Sequence, residues 1–235
     1  MKRVGLRLHA DEEHWIPLSD LMTGLMFLFL LIALAYMVQV ELQEAKAKEI
    51  VVVYTEARAE LYQDLYNEFH NDLPRWGADL DRNTLSIRFY APDVLFSTGS
   101  AELQPRFKTI LDDFFPRYVR ILTSAKYRNI ISEVRIEGYT STVWKPGASV
   151  DESYIGNMEL SQDRTRSVLS YVLAMSQLQS EKSWLMQKVT ANGLSFSHLI
   201  MNKGGTENQF ASQRVEFRVR TNADEQIRKV LELSQ

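Results

Sequence analysis

Cysteine is missing from this chain of 235 residues. Disulfides, thiolate zinc sites, iron–sulfur clusters and cysteine nucleophiles are thereby excluded, and the compartment stays open because any compartment tolerates such a chain. Histidine is scarce, and His9, His14, His70 and His198 are scattered without the spacing that metal ligands need. No dense basic tract occurs and the net charge is −3, so nucleic acid is not an expected partner. The pair Gly204–Gly205 is followed by no phosphate-loop lysine pattern, and no Ser–His–Asp motif is visible. Acidic pairs such as Asp112–Asp113 read as the solvated face of a helix. No enzyme active site, metal site or cofactor is expected. In bulk, 45% hydrophobic and 24% charged residues are too apolar for a disordered polymer and too polar for a polytopic membrane protein. One segment departs sharply from these averages.

From Leu21 to Val40 no residue carries a formal charge. At 1.5 Å per residue a helix of that length covers about 30 Å, the hydrocarbon thickness of a bilayer. Extending the segment back to Trp15 admits a single charge, Asp20. Trp15 and Tyr36 suit the membrane interfaces, and Pro17 suits a first helical turn. A cleaved signal peptide would be shorter and followed by a small-x-small site, whereas Glu41 and a charged helix follow here. The reading is one transmembrane helix over 15–40, preceded by a tail over 1–14. Lys2, Arg3 and Arg7 before it and Lys46, Lys48 and Arg58 after it nearly balance, so the positive-inside rule does not orient it.

Residues 41 to about 73 read as a helix leaving the membrane, within a linker or plug segment assigned to 41–83. Ala57, Leu61, Leu65 and Phe69 recur at i, i+4 spacing, with Tyr54, Tyr62 and Tyr66 beside them and Glu44–Lys48 as a supporting pair. That stripe fits a dimer seam, a pore plug or a face docked on a domain. Pro74 and Gly77 break it. Over 84–221 strands alternate with helices: Leu85, Ile87 and Phe89; a helix from Pro105 to about Leu122; Val134 and Ile136, ended by Gly138. A loop over 142–156, a helix over Leu160–Leu178, a strand at Val189 and Ala191, and one at Val215, Phe217 and Val219 complete the pattern. The expectation is an α/β (α+β) domain with one mixed four-stranded sheet and helices packed on it, then a charged tail over 222–235.

Two places invite chemistry. A carboxylate inside a bilayer is costly and often marks an ion path, and desolvation moves its pKa toward the range where protons come and go. Asp20 fits that reading, with Thr23 and Gly24 one turn on permitting close approach of a partner helix. It fits equally as an N-cap, with Ser19, of a helix starting at Leu21. In the domain, Gly138–Tyr139–Thr140 ends a strand and Asn157-x-x-Leu160-Ser161-x-x-Arg164 is expected to begin a helix. A helix N-terminus with an adjacent guanidinium suits an anionic ligand group. The plainer alternative has Asn157 or Ser161 capping the helix and Arg164 solvated.

Four ordered motifs carry a family resemblance: Phe96-x-x-Gly99-Ser100-Ala101-x-Leu103, Gly138-x-Thr140, Asn157-x-x-Leu160-Ser161-x-x-Arg164 and Gln213–Arg214–Val215–Glu216. Together they resemble the OmpA-like peptidoglycan-binding domain, over about 84–220. The span from Trp15 to Ala35, with Asp20 early in it, is similar to the proton-carrying helix of the flagellar stator B subunit (MotB). The run Ser19-Asp-Leu-Met-Thr-Gly-Leu-Met is closer to the B subunit of the Zorya anti-phage defence system, which shares that layout. The resemblance implies a proton-driven, peptidoglycan-anchored stator subunit in the bacterial inner membrane, with a cytoplasmic N-terminus and a periplasmic C-terminal domain. It implies a homodimer within a ring of polytopic A subunits, five in number, and Asp20 as the proton-binding carboxylate. It places Thr140, Asn157, Leu160, Ser161 and Arg164 at the peptidoglycan site. The chain departs from the family at Tyr139–Thr140–Ser141, where His-Thr-Asp is usual, and the 142–156 loop is longer than the usual pattern. The missing acid would have met the amino group of the stem-peptide diamino acid, a role open to Asp151 or Glu152. A flagellar stator subunit and a passive membrane–wall tether are the alternatives.

Overall fold

Five strands meet in one mixed sheet in the computed structural model, which describes residues 15–90, 92–97 and 99–222. The expected tail over 1–14, with Lys2, Arg3, Arg7, His9 and His14, and all but Asn222 of the expected tail over 222–235 lie outside the described residues. So do the side chains of Trp15, Pro17, Glu44, Lys46, Lys48 and Tyr54. The chain divides into two units between Val52 and Val53.

The described part of the first unit is the membrane-length portion of helix α1 (Trp15–Phe69). Its stretch Ser19–Gln43 is long and apolar enough to cross a bilayer, reaching about 37 Å at 1.5 Å per residue. None of that surface is buried within the chain, and Leu25, Phe29 and Ile32 each expose half or more of their area. Apolar surface on this scale is not left to water in a soluble monomer, so its natural solvent is lipid or another apolar helix.

The second unit begins with the last turns of α1, and here the i, i+4 stripe finds its partner. Leu61, Leu65 and Phe69 are fully buried in the same core as the sheet, so this face docks on the domain. The Phe69 ring lies 5.3 Å from that of Phe114, and Arg117 ties the helix down through Glu68 (2.7 Å). Residues 53–83, expected as linker or plug, thus belong to the compact unit. Leu65→Ala is expected to destabilise the full chain by about 2–5 kcal/mol in denaturant unfolding followed by near-UV circular dichroism. A loss below about 0.5 kcal/mol would place Leu65 outside the core.

After α2 (Leu73–Trp76) come β1 (Ala78–Asp81), β2 (Ser86–Phe89), α3 (Pro92–Leu95), α4 (Pro105–Leu122) and β3 (Ile131–Tyr139). Then follow α5 (Val150–Leu173), a 3-10 turn (Ser176–Glu181), α6 (Lys182–Lys188), β4 (Val189–Gly193), α7 (Gln209–Ser212) and β5 (Arg214–Thr221). The sheet order is β1-β2-β5-β3-β4, antiparallel except for β3 with β4, whose parallel pairing requires the α5 crossover. The expected four strands are β2 to β5, and β1 corrects the count to five. Its sequence, Ala-Asp-Leu-Asp, does alternate, but it is only four residues long and contains none of the β-branched or aromatic residues that favour strands. Charge holds it at the sheet edge instead: Arg88 of β2 pairs with Asp79 (2.7 Å) and Asp81 (2.9 Å). Phe114 of α4 centres the core, 5.1 Å from the rings of both Phe89 and Phe217.

A second correction concerns α5. Expected to begin near Leu160, it begins at Val150, because Ser149 and Glu152 form a reciprocal capping box. The Glu152 carboxylate accepts from Ser149 N–H at 2.8 Å, and that bond holds its pKa below the usual value. The glycine- and proline-containing connection is therefore shorter than 142–156, ending at the cap.

Candidate functional site

The site begins where α5 is pressed onto the sheet. Gly138 and Gly193 face each other across β3 and β4. A Cβ on Gly193 would stand 2.3 Å from Gln162 N, and one on Gly138 would stand 2.9 Å from Ser161 O. Only glycine at these points lets the helix backbone approach so closely. Ser161, itself fully buried, completes the joint: its hydroxyl donates to Met158 O and accepts from Ser195 N–H at 3.1 Å. Ser195 is a non-glycine residue at φ 50°, a conformation that persists where surrounding bonds over-determine it. Its hydroxyl donates to Tyr154 O and its carbonyl accepts from Thr140 N–H at 2.9 Å. The exit of β3 is thereby fixed against α5.

Between that exit, the following loop, the Phe96–Gly99 turn, α5 and α7 lies a cavity of about 690 Å³. Thr140, Asn157, Leu160 and Arg164, four of the five expected peptidoglycan-site residues, line it together. Ser161 does not, being spent on the joint just described. Nor do Asn157 to Arg164 begin a helix. Asn157 lies two turns inside α5, so the backbone N–H groups there are already bonded and the helix-terminus route to an anion is unavailable. The capping roles considered for Asn157 and Ser161 fall for the same reason.

What remains for an anion is Arg164. Its side chain is only 7% exposed, packs 4.9 Å from the Phe96 ring centroid and donates through Nε to Ser100 O at 3.0 Å. Among the described residues no carboxylate pairs with it. Burial alone pulls its pKa down to about 10, which leaves it charged at neutral pH. A desolvated cation without a counter-charge is costly to fold and is matched by an incoming anion. Beside it the Thr140 hydroxyl is buried without a described partner, a second unsatisfied group in the same cavity.

Not all of the lining was foreseen. Trp144, Lys145 and Phe210 line the cavity. The loop carrying the first two is held by Asn157, whose side-chain amide donates to Val143 O at 3.3 Å. Trp144 lies so close to α5 that a Cβ on Gly156 would stand 2.3 Å from its ring. Gly156→Ala is expected to displace that ring and red-shift tryptophan emission. Stability should change by no more than about 1 kcal/mol, since alanine is the better helix former. Unshifted emission would mean that the ring is not seated there. The acids considered as substitutes for the missing one do not serve: Glu152 is committed to the cap, and neither it nor Asp151 lines the cavity.

Behind the cavity, Glu137 and Glu216 stand in register on β3 and β5, both almost fully buried. Arg214 pairs with Glu216 at 2.6 Å and lies 3.8 Å over the Tyr139 ring, whose hydroxyl donates to Glu137 at 2.8 Å. Burial first, then these two carboxylates, push the Tyr139 pKa upward and keep the phenol protonated as a donor. Gln213 lines the cavity itself, while Tyr139, Arg214 and Val215 border a small gap that Arg164 and Gln213 also line.

In the first unit, Asp20 sits in the second turn of α1 and is exposed along the apolar stretch. It is not the N-cap considered for a helix starting at Leu21, because residues from Trp15 onward are already helical. The Thr23 hydroxyl donates to Ser19 O at 2.8 Å, satisfying itself within the helix. The Gly24 position is open, with nothing within 4 Å of a Cβ built there.

The profile of the OmpA family matches residues 95–215. A Zorya protein ZorB of Escherichia coli (strain Crooks) is 48% identical over 222 residues, spanning 94% of this chain and 94% of the relative. The chain belongs to the Zorya ZorB family. A Zorya protein ZorB of Escherichia coli O139:H28 is 26% identical over 221 residues, 89% of this chain and 81% of the relative. A solved structure of a putative MotB-like protein from Desulfovibrio vulgaris is also similar. Its TM-score is 0.49 at 22% identity, over 74% of this chain and 98% of that one.

Proposed function

We propose that this ZorB family member is the non-enzymatic stator subunit of a proton-driven rotary motor in the bacterial inner membrane, serving anti-phage defence. Residues 15–40 span the membrane with the N-terminus cytoplasmic, and the OmpA family domain anchors to peptidoglycan in the periplasm. Two copies stand within a ring of five polytopic A subunits. Asp20 accepts a proton from the periplasmic side and releases it inward, and its change of charge alters its contacts with the ring, which steps around the fixed dimer. The open Gly24 position admits a ring helix beside Asp20.

The observation that carries this reading is a carboxylate inside a membrane-length helix that joins, in one chain, an OmpA family domain with an unpaired cation in its cavity. Arg164 takes a stem-peptide carboxylate there, with Thr140, Asn157 and Leu160 beside it. A passive tether would need the span only for its hydrophobicity. Exchanging residues 15–40 for an unrelated apolar helix tests this, with the A subunit co-expressed and phage plating efficiency as readout. Loss of protection with the chain still in the membrane supports the motor, and retained protection sinks it.

A further inference from the structure

The charges lining the cavity restrict what a ligand brings into it. Among the described residues two cations line it, Arg164 and Lys145, and no carboxylate does. Arg164 spends Nε on Ser100 O, so its two terminal amino groups have no described acceptor. Lys145 rests 5.5 Å from the Trp144 ring centroid and pairs with no acid among the described residues. The remaining polar lining is neutral: Thr140, Ser141, Asn157, Gln209 and Gln213. The acid that reaches this end of β3, Glu207, is committed to the backbone N–H (3.2 Å) and hydroxyl (2.5 Å) of Thr142. A ligand ammonium entering here meets two like charges and no counter-charge in the lining, whereas each ligand carboxylate meets a cation.

Resting on the reading that this cavity takes the cell-wall peptide, we propose that it selects its ligand by two carboxylates and does not read an ammonium group. The ligand class is a dicarboxylate peptide end or side chain, and Lys145 is a specificity-determining residue alongside Arg164. An amino group beside either carboxylate weakens binding or leaves it unchanged.

Pimelate and meso-diaminopimelate share a seven-carbon dicarboxylate skeleton and differ in their amino groups, so they separate the two modes of recognition. Titrating each into the full chain in detergent micelles, by calorimetry, is expected to show pimelate binding at least as tightly. Lys145→Gln should weaken both ligands roughly tenfold, the order expected of a lost carboxylate–ammonium contact. Ser141→Asp should reverse the preference toward the diamino compound; where that variant fails to fold, the wild-type comparison decides alone. Binding of meso-diaminopimelate without pimelate, or of neither, overturns the proposal. Pelleting the same protein with purified sacculi keeps the wall-anchoring reading separate. Pimelate binding without sacculus binding sinks that reading and leaves this one, and sacculus binding with a requirement for the amino groups does the reverse.

Discussion

Asp20→Asn is expected to abolish phage protection, bringing plating efficiency to the level of cells without the system, while the complex with the A subunit still co-purifies. Asparagine keeps the shape and polarity of the side chain but takes up no proton, so it freezes the site in one charge state. A motor that steps on alternation between two states then has none to alternate between. Burying a charged carboxylate in a bilayer costs several kcal/mol. The neutral variant avoids the cost, so assembly should be as good or better. Asp20→Glu, which retains the titratable group on a longer arm, is expected to keep part of the activity. Full protection by Asp20→Asn would remove the proton role and leave the chain as an anchor.

Arg164→Met should separate ligand binding from folding with opposite signs. Truncating one member of a buried, hydrogen-bonded charge pair costs about 2–5 kcal/mol of binding. At 1.4 kcal/mol per tenfold, sacculus or peptide affinity falls about 30-fold to several thousand-fold. Folding responds differently, because the cavity holds a desolvated cation with no counter-charge among the described residues. A residue of similar length and no charge relieves that cost while giving up the Ser100 bond and the contact with Phe96. The net change in unfolding free energy is expected within about 1 kcal/mol of zero, or stabilising. Thermal unfolding of the full chain in detergent, alongside co-sedimentation with sacculi, reads both quantities. A large loss of stability with affinity intact would make Arg164 a structural residue.

Much of this molecule is legible from one sequence because local patterns carry it. The apolar run around Leu21–Val40 is a matter of composition and length, and Asp20 is conspicuous as the exception within it. The helix expected from Pro105 to Leu122 is found with those bounds, since proline starts it and an apolar period sustains it. The strands at Val134, Val189 and Val215 are found because alternation with a buried face is enforced by the core. The start of α5 was written in the sequence too. Ser149-x-x-Glu152 is a capping-box signature, overshadowed by Pro146 and Gly147 just before it.

Other features have no local signature. Strand β1 is a four-residue run of weak strand formers, and it is held by its pairing with β2, by Ala78 and Leu80 on the core and by Arg88, which binds both of its aspartates. The stripe of Leu61, Leu65 and Phe69 announces a buried face but not its partner, and only the fold supplies Phe114. The cavity draws on Phe96, Thr140, Trp144, Arg164 and Phe210, residues far apart in the chain that no period connects. The seating of α5 on the sheet depends on Gly138 and Gly193 lying opposite each other, a fact of strand register. Sequence alone determined the membrane-length helix, its one acid, the α/β alternation and the motif residues, since these follow from composition and short-range periodicity. Tertiary structure alone decided that Arg164 is buried without a counter-charge. Burial and pairing are properties of what the rest of the chain brings alongside, and the desolvation that makes this cation matter exists only once the chain has folded.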